Sequence, residues 1–166
     1  QSSHHVFEPC CLNDLIHDLT EEYAELATLA HINLMQEVPA EEIYVFGHES
    51  QLYRLVSNLI ANAIQYTSQA GDVVVRLMVR DRTAWITVQD TGIGIDSAEQ
   101  TQIFERFYRV DSDRSRQTGG TGLGLAMAEA IAYHHHGSIQ VKSELGQGSC
   151  FILELPGVIK PKTRLT

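Results

Sequence analysis

The stretch Leu52-Tyr-Arg-Leu-Val-Ser-Asn58-Leu-Ile-Ala-Asn62-Ala-Ile-Gln-Tyr66 predicts a helix with two different faces. The apolar residues recur at helical spacing, which indicates one buried face: Leu52, Leu55, Val56, Leu59, Ile60, Ala63 and Ile64. Asn58, Asn62, Gln65 and Tyr66 lie away from that face. Asparagine is unfavourable inside a helix because its side chain competes for backbone hydrogen bonds. Two of them one turn apart indicate either a solvated surface or a ligand, and amide oxygens suit Mg²⁺.

The residues on either side of this helix predict short strands, hairpins and two further long helices. In chain order we expect a helix over 12–30, strands over 32–38 and 43–46, the helix above, a hairpin of 73–79 and 84–88, a helix over 122–135, and a hairpin of 139–143 and 150–155. Residues 96–120 lack periodicity and predict a long loop with a short helix near Phe104. This order predicts an α+β fold, a two-layer sandwich with a mixed, mostly antiparallel sheet covered on one face by three helices.

The composition is that of one folded domain, with 166 residues, 43% of them hydrophobic and 20% charged. We expect residues 1–5 to be a linker or an expression remnant, 6–156 to form the domain and 157–166 to be a flexible tail. The three cysteines, Cys10, Cys11 and Cys150, form no metal-ligand spacing and indicate reduced thiols in a cytoplasmic protein. No apolar run is long enough for a membrane span and no signal peptide opens the chain, so we expect no direct membrane contact, and any membrane segment of a longer parent protein would lie outside these residues. The net charge of −9 argues against nucleic-acid binding.

A second motif, Asp90-Thr-Gly92-Ile-Gly94-Ile95, follows directly on a predicted strand. A buried carboxylate is costly unless it is paired, and the exocyclic amine of adenine is a good donor for it. Gly92 and Gly94 would let the backbone turn sharply and approach a ring closely. The alternative is an ordinary tight loop, in which Asp and Gly are frequent turn residues.

A third motif, Gly119-Gly-Thr-Gly-Leu-Gly-Leu125, precedes the last predicted helix, so its N–H groups and the helix N-terminus suit an anion. It is not a Walker loop, because no Lys follows a Gly anywhere in the chain, and no Gly-x-Gly pair has the third Gly of the dinucleotide fingerprint. Four of the twelve Lys and Arg residues fall between Arg106 and Arg116. This local cluster in an acidic protein favours a small anionic ligand.

Taken in order, the Asn-bearing helix, Asp90-x-Gly-x-Gly94, Phe104-Glu-Arg-Phe107 and Gly120-x-Gly-x-Gly124 resemble the ATP-binding catalytic domain of sensor histidine kinases. That family belongs to the superfamily shared with gyrase, heat-shock chaperone and mismatch-repair ATPases. The resemblance covers about residues 6–156. It implies a Bergerat-type sandwich that binds ATP and Mg²⁺ beneath a flexible lid formed by residues 104–116.

The resemblance also implies roles for individual residues. Asn62 would contact Mg²⁺ with help from Asn58, which is also the expected catalytic residue. Asp90 would accept the adenine amine, and Tyr66 would lie beside the ring. The other nucleotide-binding positions that the resemblance implies are Gly92, Gly94, Ile95, Arg106, Phe107, Gly120, Thr121, Gly122, Leu123, Gly124 and Ser149.

Two positions depart from the pattern of that family. Gln65 stands where the family often has a basic residue that reaches toward phosphate, a contact that Arg106 or Arg109 would then have to supply. His48 follows Gly47 where the family commonly has Asp, and we expect it to act only as a helix cap.

Three functions compete on this sequence: phosphotransferase, ATP hydrolase and idle nucleotide-binding module. The hydrolases of the superfamily have Glu where Asn58 stands, and Asn cannot take a proton from the attacking water at neutral pH. Phosphoryl transfer to a histidine needs mostly positioning and charge stabilisation. An idle module would be expected to have lost the glycine motif of residues 119–125 or the metal-binding amide of Asn62, and both are present.

We therefore predict the catalytic domain of a histidine kinase, whose partner is its own dimerisation and phosphoacceptor domain and, indirectly, a response regulator. The phosphoacceptor histidine is not evident in this chain. His17, in His17-Asp-Leu-Thr, resembles an acceptor box only weakly, and we expect it to be a surface residue. His134, His135 and His136 end the last predicted helix; a helix C-terminus that favours cations explains them more simply than a metal site does.

Overall fold

The structure, a computed structural model, describes residues 6–105 and 123–159. In chain order the elements are β1 (Glu8–Cys11), α1 (Leu12–Leu29), β2 (Asn33–Glu37), β3 (Tyr44–Gly47), α2 (Glu49–Tyr66), β4 (Asp72–Arg80), β5 (Thr83–Asp90), α3 (Ser97–Gln100), α4 (Leu123–His134), β6 (Ser138–Glu144), β7 (Gly148–Pro156) and β8 (Val158–Ile159). No helix among the described residues is long and apolar enough to cross a lipid bilayer.

The main sheet has five strands in the order β2-β4-β5-β7-β6. Strand β2 pairs with β4 in parallel, and the other neighbours pair antiparallel. Helix α1 packs against β2, α2 against β5, and α4 against β6. The predicted α+β sandwich with a mixed, mostly antiparallel sheet is therefore confirmed.

Buried and partly exposed residues alternate along the central strands β4 and β5, and the buried ones mark the face of the sheet that the helices cover. Val75 and Leu77 of β4 are buried opposite Val88 and Ile86 of β5. The alternate residues, such as Trp85, lie on the other face and are partly exposed. The predicted apolar face of α2 is buried along its whole length, which fixes the rotation of the helix and leaves its asparagines on the opposite side.

Asn13 lies in the first turn of α1 and holds a loop in place. Its side-chain Nδ2 donates to the carbonyls of Pro39 (2.9 Å) and Glu41 (3.0 Å). Its Oδ1 accepts from the N–H of Ile43 at 2.8 Å. The connection between β2 and β3 is thereby fixed to α1 through a buried amide.

Two boundaries differ from those that the sequence indicates. The flexible tail expected from residue 157 is wrong for residues 157–159, because Val158 and Ile159 form β8 and pair with β3. The short helix expected near Phe104 occurs one turn earlier, as α3, and Asp96 caps it by accepting from the N–H of Ala98. Phe104 itself packs edge-to-face on Phe151 of β7.

Candidate functional site

The polar side of α2 forms one wall of the candidate site. Asn58, Asn62, Gln65 and Tyr66 are all half-buried there. The Nε2 atom of Gln65 is buried and has no hydrogen-bond partner among the described residues. The same holds for Gln51 Oε1, near the start of the same helix. Because a buried donor without an acceptor costs roughly 1–3 kcal/mol, Gln65 fits a site that a polar ligand completes.

The loop after β5 packs directly on the last turn of α2. The N–H of Ile93 donates to the carbonyl of Tyr66 at 3.3 Å. A Cβ atom on Gly92 would lie 2.3 Å from that same carbonyl oxygen, so any side chain there would separate the loop from the helix. Glycine at position 92 therefore brings Tyr66 and Asp90 into one site.

Asp90 places a buried carboxylate at the end of β5, with 6% of the residue exposed. Its Oδ1 accepts from the N–H of Gly92 (2.8 Å) and from the N–H of Ser149 (3.2 Å). Burial raises the pKa of the Asp90 carboxyl, while these two N–H groups partly lower it. No described residue donates to Oδ2, and no described Lys or Arg forms an ion pair with the group.

Gly94 joins this loop to the turn between β6 and β7. Its φ is +75°, a conformation that glycine adopts without strain, and a Cβ there would lie 2.1 Å from the carbonyl oxygen of Glu144. The N–H of Gly146 donates to the carbonyl of Ile93 at 2.8 Å. The second glycine of the motif thus serves a close contact between two backbone segments, and its predicted approach to a ring stays a prediction.

A small hydroxyl network, which the sequence analysis did not identify, supports the same loop. The Oγ of Ser143 accepts from the N–H of Ile95 and lies 2.7 Å from the Oγ of Ser149. Gln100 of α3 donates through Nε2 to the carbonyls of Ile95 and Ser143, both at 2.9 Å. Ser143 and Ser149 lie on either side of the β6–β7 turn and face each other across the two strands. Two serines placed symmetrically about a predicted hairpin turn are the one sequence signal that could have indicated this network.

The glycine-rich motif is only partly covered by the structure. Arg106, Phe107, Gly120, Thr121 and Gly122 lie outside the described residues, as does most of the expected lid. Leu123 and Gly124 begin α4.

Helix α4 is antiparallel to α2, because His135, just after its end, contacts His48 at the start of α2. The N-terminus of α4 therefore points to the end of α2 that carries Asn62 and Tyr66. His17, on α1, is exposed as predicted.

The arrangement combines three kinds of donor and acceptor at one end of the sandwich. A buried carboxylate oxygen suits an amine on a flat ring, and Gly92 and Gly94 allow the close backbone contacts that hold the loop beside it. The amides of Asn58 and Asn62 offer neutral oxygen ligands of the kind Mg²⁺ accepts. A helix N-terminus nearby favours anionic groups.

The family model, the curated relatives and the solved structures that this chain matches all include histidine kinases. The family model described as "Histidine kinase-, DNA gyrase B-, and HSP90-like ATPase" matches residues 47–159. Sensor histidine kinase RppB of Synechocystis sp. is 61% identical over 147 residues, which make up 89% of this chain and 32% of that protein. The chain thus spans about a third of the length of this relative.

Solved structures of histidine kinases have the same fold. The catalytic domain of histidine kinase ThkA, in a nucleotide-free form, matches with a TM-score of 0.80 and 26% identity over 90% of this chain and 95% of that one. Full-length ShkA in complex with AMPPNP matches with a TM-score of 0.79 and 28% identity, over 90% of this chain and 31% of that one.

The buried carboxylate generates a prediction for the ligand-free protein. Asp90→Asn should fold normally and be at least as stable as the wild type at pH 7, because the amide oxygen still accepts both N–H bonds without a buried charge. A folded pKa above the unfolded pKa means that the carboxyl stabilises the fold in acid, and that this contribution is lost as pH rises through the folded pKa. The advantage of the variant should therefore grow from pH 4 to pH 7.

Urea unfolding across this pH range measures the effect. Asp18→Asn, which changes an exposed carboxylate on α1, is the matched control and should show no such trend. An Asp90→Asn protein that is clearly less stable than the wild type at pH 7 would contradict this account of Asp90.

Proposed function

Because the chain belongs to the family of histidine kinase-, DNA gyrase B- and HSP90-like ATPases, we propose that it binds Mg-ATP and transfers the γ-phosphoryl group to a histidine. The acceptor histidine belongs to a separate dimerisation and phosphoacceptor domain of the same sensor kinase, and a response regulator takes up the phosphoryl group afterwards. The observation that carries the proposal is the buried carboxylate of Asp90, held by Gly92 and Ser149 with Oδ2 accepting from no described residue.

Recognition of the base rests on Asp90. The oxygen not bonded to Gly92 and Ser149 accepts the exocyclic amine of adenine, and the ring lies against the backbone of Gly92, Gly94 and Ile95. Tyr66 lies beside the ring, since the loop packs on the last turn of α2. That the related ShkA has been solved with the ATP analogue AMPPNP supports this assignment.

The polyphosphate and the metal are held by the other side of the site. Asn62 contributes an amide oxygen to Mg²⁺ and Asn58 assists it, while the orphaned Nε2 of Gln65 donates to a phosphate oxygen. Bound Mg²⁺ supplies positive charge that offsets the charge of the phosphates. The remaining phosphate contacts are assigned to the segment before and at the start of α4: Arg106, Phe107, Gly120, Thr121, Gly122, Leu123 and Gly124.

The residue at position 58 favours kinase over hydrolase. An amide cannot accept the proton of an attacking water, so general-base activation at this position is unavailable. A neutral imidazole is already nucleophilic and needs only to be placed in line with the γ-phosphoryl group. We place this reaction in the cytoplasm, where ATP and a response regulator are both present.

The proposed reaction predicts how the isolated chain behaves with γ-labelled ATP. It should bind ATP, hydrolyse it very slowly and not label itself, because Asn58 is no base and His17 is no acceptor. Addition of the dimerisation and acceptor domain of RppB should give a phosphorylated product that is labile in acid and stable in base.

The control for this assay is the same acceptor domain with its acceptor histidine replaced by Ala, which should remain unlabelled. Brisk multiple-turnover hydrolysis by the chain alone would favour the ATPase function instead. Strong self-labelling that disappears in His17→Ala would show that the acceptor lies on α1.

The assignment of the metal predicts the behaviour of Asn62→Ala. Because alanine is the better helix former, the ligand-free variant should be as stable as the wild type. Calorimetric titration with ATP should show that the gain in affinity caused by Mg²⁺ falls by at least roughly tenfold, or about 1.4 kcal/mol. Asn33→Ala, at an exposed position of β2, is the control and should keep the full Mg²⁺ effect. A variant that keeps this effect would remove Asn62 from the metal site.

A further inference from the structure

The end of α2 opposite the candidate site is capped by two imidazole rings. The first N–H groups of any α-helix have no partner within the helix. Here the Nδ1 of His48 accepts from the N–H of Gln51 at 3.3 Å, which confirms the expected capping role of His48. The Nε2 of His135 accepts from the N–H of His48 itself at 3.0 Å.

The protonation state of His135 follows from its second contact. Its Nδ1 lies 2.8 Å from the carbonyl oxygen of Ile131, which can only accept, so Nδ1 carries the proton. Nε2 accepts from the N–H of His48, so it must be the unprotonated nitrogen. The imidazole of His135 is therefore neutral and in one defined tautomer.

The ring of His135 has no room to move away from this bond. The residue is 6% exposed, and Phe7 stacks on the ring with centroids 4.8 Å apart. On another side lies Gly47, where an added Cβ would be 2.8 Å from the Cδ2 of His135. The expectation that a cation-favouring helix end explains all three histidines of residues 134–136 is thus wrong for His135, which is buried and neutral.

The charges around the ring also disfavour a proton on it. Burial lowers the pKa of His135; the bond to Ile131 partly opposes this, and charge on neighbouring histidines lowers the pKa further. The N-terminus of α2 adds partial positive charge. The ionisable groups nearest to this end of α2 among the described residues include His134 at the end of α4 and His136 just after it. They also include His48 and Glu49 at the start of α2, and Glu8 and Cys10 on β1.

We propose that His48 and His135 form a cap on α2 whose pH sensitivity lies in His135, which holds the N–H of His48 at the start of that helix only while its ring is neutral. A proton on the Nε2 of His135 turns that nitrogen into a donor that faces the N–H of His48, and the bond is lost. This inference goes beyond the proposed function and does not depend on it, because no residue of the nucleotide site takes part.

The direction of the pH effect follows from linkage. A folded pKa below the unfolded value, near 6.5 for histidine, means that the stabilisation by neutral His135 is complete above the unfolded pKa. It is lost as pH falls below that value and through the folded pKa. The cap should therefore be intact at pH 8 and increasingly weakened toward pH 5.

Urea unfolding of the whole chain from pH 8 to pH 5 tests the proposal. Four proteins are compared: wild type, His48→Asp, His135→Gln and the double variant. Aspartate is a good helix cap that stays charged over this range, and glutamine does not titrate. Acidification from pH 8 to pH 5 should raise the unfolding equilibrium constant more in the wild type than in the double variant. The difference should be about tenfold for every pH unit by which the folded pKa of His135 lies below its unfolded pKa.

The matched control is His17→Gln, which removes an exposed histidine and should leave the pH dependence of the wild type unchanged. Nitrogen NMR of the rings gives an independent readout. His135 should show the Nδ1–H tautomer and titrate below the ordinary value for histidine, and the amide of His48 should lose protection from exchange in acid. If His135→Gln does not fold, these NMR measurements still decide the matter.

Two results would overturn the proposal. One is an equal pH dependence of unfolding in the wild type and in the foldable variants that lack His135. The other is a His135 ring that titrates at or above the ordinary value for histidine, or that shows the opposite tautomer.

Discussion

A carboxylate held in the protein interior at the end of β5 is the constraint around which the site is arranged. Asp90 stays there because two backbone N–H groups, from Gly92 and Ser149, converge on one of its oxygens. For these two N–H groups to converge, the chain must turn sharply after β5, and β7 must lie directly beside β5. Gly148 is part of the same requirement, since a Cβ there would lie 2.1 Å from the carbonyl oxygen of Asp90. The buried charge weakens the ligand-free fold, as expected where residues are kept for binding rather than stability.

Helix α2 connects this site to the rest of the domain, and its two ends have different chemistry. Its buried face sets the rotation that turns Asn58 and Asn62 toward the site. Its last turn receives the loop that carries Gly92, and its first turn is held by His48 and His135. Because the helix is continuous and packed along its length, the placement of the amides depends on contacts at both ends.

Much of the architecture could be predicted from the sequence because its signals are local and periodic. The apolar face of α2, both hairpins and the glycines after Asp90 each follow from spacing within a few residues. Val158 and Ile159 were missed because two residues carry no period, and their strand exists only through pairing with β3. The buried clamp made by Asn13 depends on residues far along the chain, which no local pattern records.

In the candidate site, too, some residues could be recognised from local sequence and others only from the three-dimensional structure. Asp90 and the Asn pair stand out because a carboxylate on a glycine turn and amides within a helix are both locally unfavourable. Ser143 and Gln100 are ordinary where they occur, and only the three-dimensional structure shows that they support Ile95. The neutrality of His135 is likewise set by its burial against Phe7 and by the N–H of His48 that donates to its Nε2, not by its position at a helix end.

The most direct test of the central claim is a comparison of ATP with purine riboside triphosphate, which lacks only the exocyclic amine of the base. Calorimetry should give the wild type a preference for ATP of roughly 1.5–3 kcal/mol, the worth of a hydrogen bond to a charged group. In Asp90→Asn that preference should disappear, so that the double-mutant cycle assigns the coupling to this one contact. An equal preference for ATP in both proteins would contradict the account, because the amine would then be recognised without Asp90.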